Sequence, residues 1–238
     1  MKRLFVAPEL LAERLSLTKE QQHYLREVLR LPDGAELEIF DGRGASFRAT
    51  LQGESLHVGE KLATRAGGLD VVLVQALAKG EKMDLVVQKA TELGAARIVP
   101  LLSERATVRL DKQRGESKRL RWQRIAQEAA RQCGRADVPR VEAPWQWDAV
   151  LALLRDDPQR RGLLLDPEEK TLRLGQAVVG AERFLLAVGP EGGFSAQERQ
   201  TALRGGLVAA GLGPRVLRTE TAGLAALAVI LHVHGELG

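Results

Sequence analysis

The chain of 238 residues is 45% hydrophobic and carries a net charge of +4 at neutral pH. This length and composition predict one large or two modest globular domains with buried cores. No apolar run approaches the roughly 20 residues that a membrane-spanning helix needs, and the first residues lack the apolar core of a signal peptide. Cys133 is the single cysteine, which excludes a disulfide within the chain. We therefore expect a cytoplasmic protein with no membrane association.

Positive charge is concentrated in one segment of the chain. Residues 97–140 contain 12 Lys and Arg against 5 Asp and Glu, whereas the rest of the chain has a small negative balance. Most of these basic residues are arginines, which bind phosphate groups through two parallel hydrogen bonds. The segment therefore indicates a nucleic-acid-binding surface, with a solvated basic face as the alternative.

The first 67 residues predict a small β-barrel. Thr18 and Gln21 form a capping-box pattern that opens a helix reaching about Arg30. Short alternating strands follow, with a hairpin turn at residues 41–44 and a further strand at residues 55–58. Because two adjacent glycines at 67 and 68 are typical of a linker, we expect domains at 1–67 and 68–238.

The rest of the chain alternates strand and helix patterns, which is typical of a mainly parallel sheet. Buried-type apolar strands are predicted at residues 71–77, 96–102, 162–166, 184–188 and 207–212. Helices are predicted at residues 83–93, 120–133, 147–154, 195–203 and 223–234. The charged segment 107–119 has no apolar periodicity, so we expect an exposed and mobile loop there.

Some residues in this second part have a structural interpretation. Cys133 lacks an activating neighbour for its thiol and is expected to be buried, and Trp145 and Trp147 are expected mainly in the core. The carboxylates at residues 166–169 have no histidine beside them, which favours a solvated loop over a metal site. The last helix is apolar on nearly every side, so we expect it to pack against a second subunit.

A glycine-rich turn follows the predicted strand at 184–188. Its sequence, Gly189-Pro190-Glu191-Gly192-Gly193, combines glycines that permit positive φ with a proline that stiffens the turn. Ser195 and Glu198 then form a second capping box. Ligands of open α/β sheets bind at such places, beyond the carboxyl ends of strands. The turn matches neither the dinucleotide fingerprint nor the phosphate-binding loop, which disfavours nicotinamide and nucleoside-triphosphate enzymes.

Another glycine-bearing loop, residues 212–222, follows the next predicted strand. Together the two loops closely resemble those of the RsmE family, SPOUT-class methyltransferases that use S-adenosylmethionine to modify N3 of a uridine in small-subunit ribosomal RNA. The resemblance covers nearly the whole chain and extends to residues 80–83, 88–94, 100–105, 122–125 and 132–135 and to Arg3, His23, 28–30 and 41–42. Arg131 is a departure, because family members often carry an acid there.

The resemblance implies an α/β fold in which a small PUA-like β-barrel precedes a SPOUT-type knotted (deep trefoil), mostly parallel sheet domain. It also implies a homodimer, S-adenosylmethionine as the cofactor and no metal. The cofactor-binding residues that it implies follow three strands: Leu165; Gly189, Pro190, Glu191, Gly192 and Gly193; and Leu212, Gly213, Leu217, Arg218, Thr219, Thr221 and Ala222.

Methylation of N3 requires that this nitrogen lose its proton. Glu191 or Glu220 is the candidate acceptor, and Arg218 is the candidate for stabilising charge on the uracil oxygens. Small-subunit ribosomal RNA, or the particle that contains it, is expected to contact five arginines: Arg3, Arg30, Arg105, Arg109 and Arg135. The target base must be unpaired or flipped out. A ribose 2′-O-methyltransferase of the same class and a catalytically silent RNA-binding protein remain open as alternatives.

Overall fold

The computed structural model describes residues 2–63, 68–106 and 111–238, with only the backbone described at Lys112. The chain separates into two compact units. The first comprises Met1–Gly67 together with Ala130–Val138, and the second comprises Gly68–Ala129 together with Pro139–Gly238. The boundary expected from sequence assigns residues 130–138 to the second domain, whereas the structure groups this segment with the first unit.

The first unit is built on a five-stranded sheet. Its strands are β1 (Arg3–Phe5), β2 (Arg14–Ser16), β3 (Glu36–Phe40), β4 (Ser46–Gln52) and β5 (Ser55–Leu62). They lie in the order β1-β3-β4-β5-β2, and every pair is antiparallel except β1 with β3. The hairpin between β3 and β4 is where the sequence predicts it. The strands β1 and β2 were not predicted, because three residues are too few to show an alternating pattern.

The helical segment of the first unit begins as predicted and ends early. The Thr18 hydroxyl accepts the N–H of Gln21 at 3.2 Å, and the Gln21 side chain accepts the N–H of Thr18 at 3.0 Å. Helix α1 (Lys19–His23) then passes into a π-helical turn, Tyr24–Val28. Arg30 has a φ of 53°, a left-handed conformation that cannot continue the helix.

The second unit is a six-stranded sheet with helices between the strands. The strands are β6 (Asp70–Ala76), β7 (Arg97–Leu101), β8 (Arg140–Val141), β9 (Arg161–Leu165), β10 (Arg183–Val188) and β11 (Leu207–Ala210). The helices are α2 (Lys82–Glu92), α3 (Lys112–Cys133), α4 (Trp147–Arg155), α5 (Leu174–Ala177), α6 (Ala196–Arg204) and α7 (Thr219–Val233). All strand pairs are parallel, so the predicted α/β class and parallel sheet are confirmed.

The order of the strands decides which loops become neighbours. It runs β11-β9-β10-β6-β7-β8, so that β9 lies between β10 and β11. The carboxyl ends of four adjacent strands, β11, β9, β10 and β6, therefore share one stretch of the sheet edge. Strand order does not determine whether the chain is knotted, and the trefoil knot stays a prediction.

The expected loop at residues 107–119 is wrong from Lys112 onward, where α3 begins. The Asp111 carboxylate accepts the N–H of Arg114 at 2.8 Å, and Glu116 pairs with Arg119 one turn later. Pairs of charged side chains thus support this turn of helix without an apolar stripe. Residues 107–110 lie outside the described part of the chain.

Expectations about burial were wrong at two further places. Cys133 is exposed, because the buried face of α3 ends at Ala130 and the helix stops before Gly134. Asp166 is buried, not solvated, since it accepts the Arg199 Nε–H at 2.7 Å. Within the single chain, helix α7 is fully buried along one side and Val233 is exposed, and its packing against a second subunit stays a prediction. Trp147 lies in the core as expected, and Trp145 packs against it.

Among the described residues, none of the helices combines the length and the apolar character that crossing a membrane requires.

Candidate active site

Two loops of the second unit meet at the carboxyl edge of its sheet. We call residues 189–195, which follow β10, the β10 loop, and residues 211–218, which follow β11, the β11 loop. Because β9 lies between these strands, its last residue, Leu165, lies between the starting points of the two loops. The residues that the resemblance implies for cofactor binding are thus brought to one place.

The β10 loop is a tight turn followed by a capped helix. The N–H of Gly193 donates to the carbonyl of Pro190 at 2.9 Å, and Gly193 has a φ of 66°. Of the three glycines that permit positive φ in this turn, Gly193 has it and Gly189 and Gly192 do not. The space at Gly189 is tight, because a Cβ there would lie 3.3 Å from both the Phe194 ring and the Phe194 backbone nitrogen.

The capping box at the end of the β10 loop is part of a larger buried network. The Glu198 carboxylate is nearly inaccessible, with the residue 3% exposed. It accepts the N–H of Ser195 at 2.9 Å and, beyond the box, the Ser103 hydroxyl at 3.0 Å and the Glu104 N–H at 3.1 Å. The indole of Trp147 donates to it as well. Glu198 therefore ties the segment after β7 to the β10 loop.

A hydrogen-bonded chain joins the β10 loop to the start of α7 and to β6. The Thr219 hydroxyl donates to the carbonyl of Gly189 at 2.5 Å and accepts the Gln75 Nε2–H at 2.8 Å. Gln75 is fully buried near the end of β6. Its Oε1 has no hydrogen-bond partner among the described residues, and a Cβ on Gly223 would come within 2.9 Å of it. The glycine thus lets α7 approach β6 closely enough for Thr219 to reach both partners.

Lys82 connects the same two parts of the site by charge. Its ammonium lies 2.9 Å from Glu191 Oε1 in the β10 loop and 3.3 Å from Glu220 Oε2 in α7. Burial raises the pKa of Glu191, but the hydrogen bond from Lys82, hydrogen bonds from backbone N–H groups and the positive charge of Lys82 together outweigh it and hold that pKa below its ordinary value. The hydrogen bond that Lys82 donates to Glu191 in turn raises the pKa of Lys82. Sequence reasoning missed Lys82, although it lies in the quoted segment 80–83.

The β11 loop is held at its two ends. A Cβ on Gly211 would lie 2.2 Å from the carbonyl oxygen of Glu169, so only glycine fits there. Between the ends, Arg215 and Val216 are exposed, and Gly213 has a φ of 128°. Since α7 begins at Thr219, four of the residues expected in this loop are in the first turn of the helix instead: Thr219, Glu220, Thr221 and Ala222.

The site has the features that a nucleoside bearing a sulfonium requires. No backbone hydrogen bond within the described ranges engages the N–H groups of Leu212, Gly213 or Leu217, which leaves them available to a ligand. Leu165, Leu212 and Leu217 supply apolar surface around them. The Lys82 group contains two carboxylates and one ammonium, and its net negative charge favours a cation.

The arginines expected to bind RNA have different surroundings. Arg3 is held by Glu38 at 2.8 Å and by the carbonyl of Ala130, and its side chain is 9% exposed. This burial removes it from the expected set of phosphate ligands. Arg135 pairs with Asp137. Arg30 is exposed, Arg105 is exposed and donates to the Gly192 carbonyl at 3.1 Å, and Arg109 lies outside the described residues.

Acidic residues neutralise part of the basic segment 97–140. Arg97 and Arg140 both pair with Glu142, and Arg121 pairs with Asp84. The excess charge counted along the sequence is therefore larger than the charge this segment presents. Within the described ranges, no group of three or more His, Cys, Asp or Glu side chains is arranged to hold a metal ion.

Comparisons with known proteins identify the family of this chain. Residues 66–231 match the family described as an RNA methyltransferase domain, and residues 17–59 match the family described as an RNA methyltransferase PUA domain. The ribosomal RNA small subunit methyltransferase E of Synechocystis is 36% identical over 96% of this chain and 76% of its own length.

Two solved structures have the same fold. A methyltransferase from Legionella pneumophila in complex with SAM is 33% identical and superposes with a TM-score of 0.85, over 97% of this chain and 96% of the other. The ribosomal RNA small subunit methyltransferase E of Neisseria gonorrhoeae bound to S-adenosyl methionine is 31% identical, with a TM-score of 0.83 over 98% of both chains. This chain belongs to the ribosomal RNA small subunit methyltransferase E family.

Proposed function

We propose that this protein transfers the methyl group of S-adenosylmethionine to N3 of a uridine in small-subunit ribosomal RNA. Family membership and the relatives bound to this cofactor support the reaction class. The observation that carries the proposal for this chain is the contact of the β10 loop with the first turn of α7, through the Thr219–Gly189 hydrogen bond and the two ion pairs of Lys82. The carboxylate pair there, with the backbone N–H groups and apolar surface of the β11 loop, supports the proposal.

Binding of the donor would use the backbone more than the side chains. The glycines of the β10 loop and Gly213 let a nucleoside approach the main chain, and the N–H groups of Leu212, Gly213 and Leu217 would bind its polar atoms. When bound, S-adenosylmethionine supplies a methyl group on a positively charged sulfur. The contribution of these residues is positioning, which supplies a large part of the rate enhancement in such transfers.

The carboxylates would handle the proton. Glu191 or Glu220 would accept the proton that leaves N3, and Arg218, exposed at the start of α7, would stabilise negative charge on a uracil oxygen. Replacing Glu220 with Gln should slow methyl transfer at least about tenfold, since general-base catalysis contributes about 10²–10⁴-fold, and should change cofactor affinity far less, because the donor is held mainly by backbone groups. Unchanged turnover would remove Glu220 from the mechanism.

RNA would bind through arginines that are accessible. Arg30 in the first unit and Arg105 in the second are exposed, and Arg109 and Arg135 remain in the proposed set. Phosphate contacts make affinity fall as salt rises, so affinity for ribosomal RNA should drop steeply between low and moderate salt concentrations. Because the proposed substrate is ribosomal RNA, we also propose a cytoplasmic location.

We also propose a homodimer. Leu224, Ala228 and Leu231 lie on one face of α7 and are only half-buried. A second copy of the chain would cover this apolar surface. Sedimentation at micromolar concentration should give twice the monomer mass.

One experiment tests the reaction directly. The protein is incubated with labelled S-adenosylmethionine and either small-subunit particles or naked ribosomal RNA, and the modified nucleoside is identified by mass spectrometry. We expect N3-methyluridine. A 2′-O-methylated nucleoside would favour the ribose methyltransferase, and no methylation despite cofactor binding would contradict the proposal.

A further inference from the structure

Lys82 lies where the two acidic candidates of the site converge. It is the first residue of α2, which follows β6 along the chain. Its ammonium pairs with one carboxylate from the β10 loop, Glu191, and one from α7, Glu220. The Glu220 side chain is 13% exposed and the other two are about one-third exposed. The lysine is therefore shared between the two elements that form the cofactor site.

The two carboxylates are close enough to affect each other. Because both lie within reach of one nitrogen, their nearest oxygens are at most about 6 Å apart, a separation at which like charges disfavour double ionisation. A cation between the two carboxylates offsets this repulsion. Without the ammonium, Glu191 would lose a partner that lowers its pKa and would keep a proton to a higher pH than it does now, and a protonated carboxyl cannot accept another proton.

Other charges around this group do not replace Lys82. On its own helix, Asp84 is engaged by Arg121 and by the Trp122 indole. On the β10 loop side, the Arg105 guanidinium donates to the Gly192 carbonyl, and the Lys79 backbone N–H is near Glu191. Arg218 has no ion-pair partner among the described residues and lies two positions before Glu220. Lys82 alone bridges both carboxylates.

We propose that Lys82 is a positioning residue for methyl transfer, which holds Glu191 and Glu220 together and ionised so that one of them accepts the N3 proton at neutral pH. In that step the N3–H bond breaks and its proton goes to a carboxylate oxygen. The N3 electron pair forms the bond to the methyl carbon, and the electron pair of the broken carbon–sulfur bond stays on sulfur. This inference rests on the proposed function.

The test compares Lys82→Met, Lys82→Gln and Lys82→Arg with the wild type from pH 6 to pH 9. The matched control is Lys89→Met, which removes another α2 lysine that pairs with a carboxylate, Glu92, outside the site. The measured quantity is the ratio of variant to wild-type kcat/KM on small-subunit particles at each pH, because the ratio cancels any ionisation of the RNA itself. Affinity for S-adenosylmethionine is measured by calorimetry on the same proteins.

We expect Lys82→Met and Lys82→Gln to lose at least about tenfold in kcat/KM at pH 7, within the range of general-base effects, and to recover toward the wild-type value as the pH rises. Lys82→Arg should stay within about threefold of the wild type because it keeps the charge, and Lys89→Met should match the wild type throughout. Affinity for the cationic donor should not weaken. A ratio that stays constant with pH in both neutral variants would overturn the inference.

A second readout separates this inference from the proposed function. Carbon NMR of the glutamate carboxyls in the protein without RNA should show one of the pair taking up its proton at a higher pH in Lys82→Met than in the wild type. If that change is seen but the wild type methylates no RNA, the proposed function fails and the ion-pair role stands. If the wild type methylates RNA but neither the titration nor the rate ratio changes, the inference about Lys82 alone fails.

Discussion

The β10 and β11 loops follow neighbouring parts of one sheet, yet they are held in different ways. The β10 loop is fixed along its length by Thr219, Lys82, Arg105 and the buried carboxylate of Glu198. The β11 loop is fixed at Gly211 and at the start of α7, and the side chains of its middle have no hydrogen-bond or ion-pair partners among the described residues. Val216 is 81% exposed there.

This difference indicates a division of roles within one binding site. A loop with many contacts keeps its shape in the absence of ligand, so it presents the ligand with a preformed surface. A loop held only at its ends loses less structure when it moves and can close over a ligand after binding. We therefore expect the β10 loop to set the position of the donor and the β11 loop to adjust around it.

The largest effect should come from the network beneath the β10 loop. Replacing Glu198 with Ala leaves the Ser103 hydroxyl and the Ser195 and Glu104 N–H groups without their acceptor. We expect a loss of about 3 kcal/mol in the free energy of unfolding, since each unsatisfied buried group costs about 1–3 kcal/mol. Urea denaturation measures this loss in the free energy of unfolding. The control is Gln197→Ala, a substitution at the exposed residue that precedes Glu198. An equal effect of both variants would contradict the rigid character of this loop.

A smaller loss is expected at the contact between the β10 loop and the start of α7. Thr219→Val keeps the shape of the side chain and removes the hydroxyl that joins Gln75 to the Gly189 carbonyl. The free energy of unfolding should fall by about 1–2 kcal/mol. Thr221→Val, an exposed site in the same helical turn, should change it by less than about 0.5 kcal/mol. Equal urea midpoints for the two variants would show that the hydroxyl does not secure the β10 loop.

Acid should weaken the β10 loop through Glu191. Burial raises the pKa of Glu191, but the hydrogen bond and charge of Lys82 together with backbone hydrogen bonds lower it below its ordinary value in the folded protein, so these contacts add stability above the unfolded pKa. That stability is lost as the pH falls through the lower folded value. Glu191→Gln should therefore show a shallower decline in the free energy of unfolding between pH 6 and pH 3. Parallel pH curves for the two proteins would contradict this assignment.

The smallest effect should come from the β11 loop. Val216→Ser removes an apolar side chain that contacts mainly solvent, so the free energy of unfolding should change by less than about 0.5 kcal/mol. Amide hydrogen exchange tests the same contrast without mutation. The amides of residues 215–217 should exchange faster than that of Gly193 and should slow on addition of S-adenosylmethionine. Slow exchange at 215–217 in the free protein would remove the difference between the loops.

Local patterns predicted much of this arrangement. Both capping boxes, the hairpin after β3 and the parallel strands of the second unit follow from residues close together in sequence. Lys82, Gln75 and the buried state of Arg3 do not, because their partners lie more than thirty positions away in the chain. The grouping of Ala130–Val138 with the first unit is equally non-local. Charge counting along the sequence also overestimated the basic segment, since Glu142 and Asp84 lie outside it.

The reach of Glu198 limits how this site can be engineered. Its carboxylate accepts hydrogen bonds from a residue three positions earlier and from one 95 positions earlier. A graft of the glycine-rich sequence into another scaffold would therefore leave a buried negative charge with too few donors unless the segment around Ser103 were transplanted with it. The smallest unit of this motif that could be transferred therefore consists of two peptide segments, the glycine-rich sequence with Glu198 and the segment around Ser103.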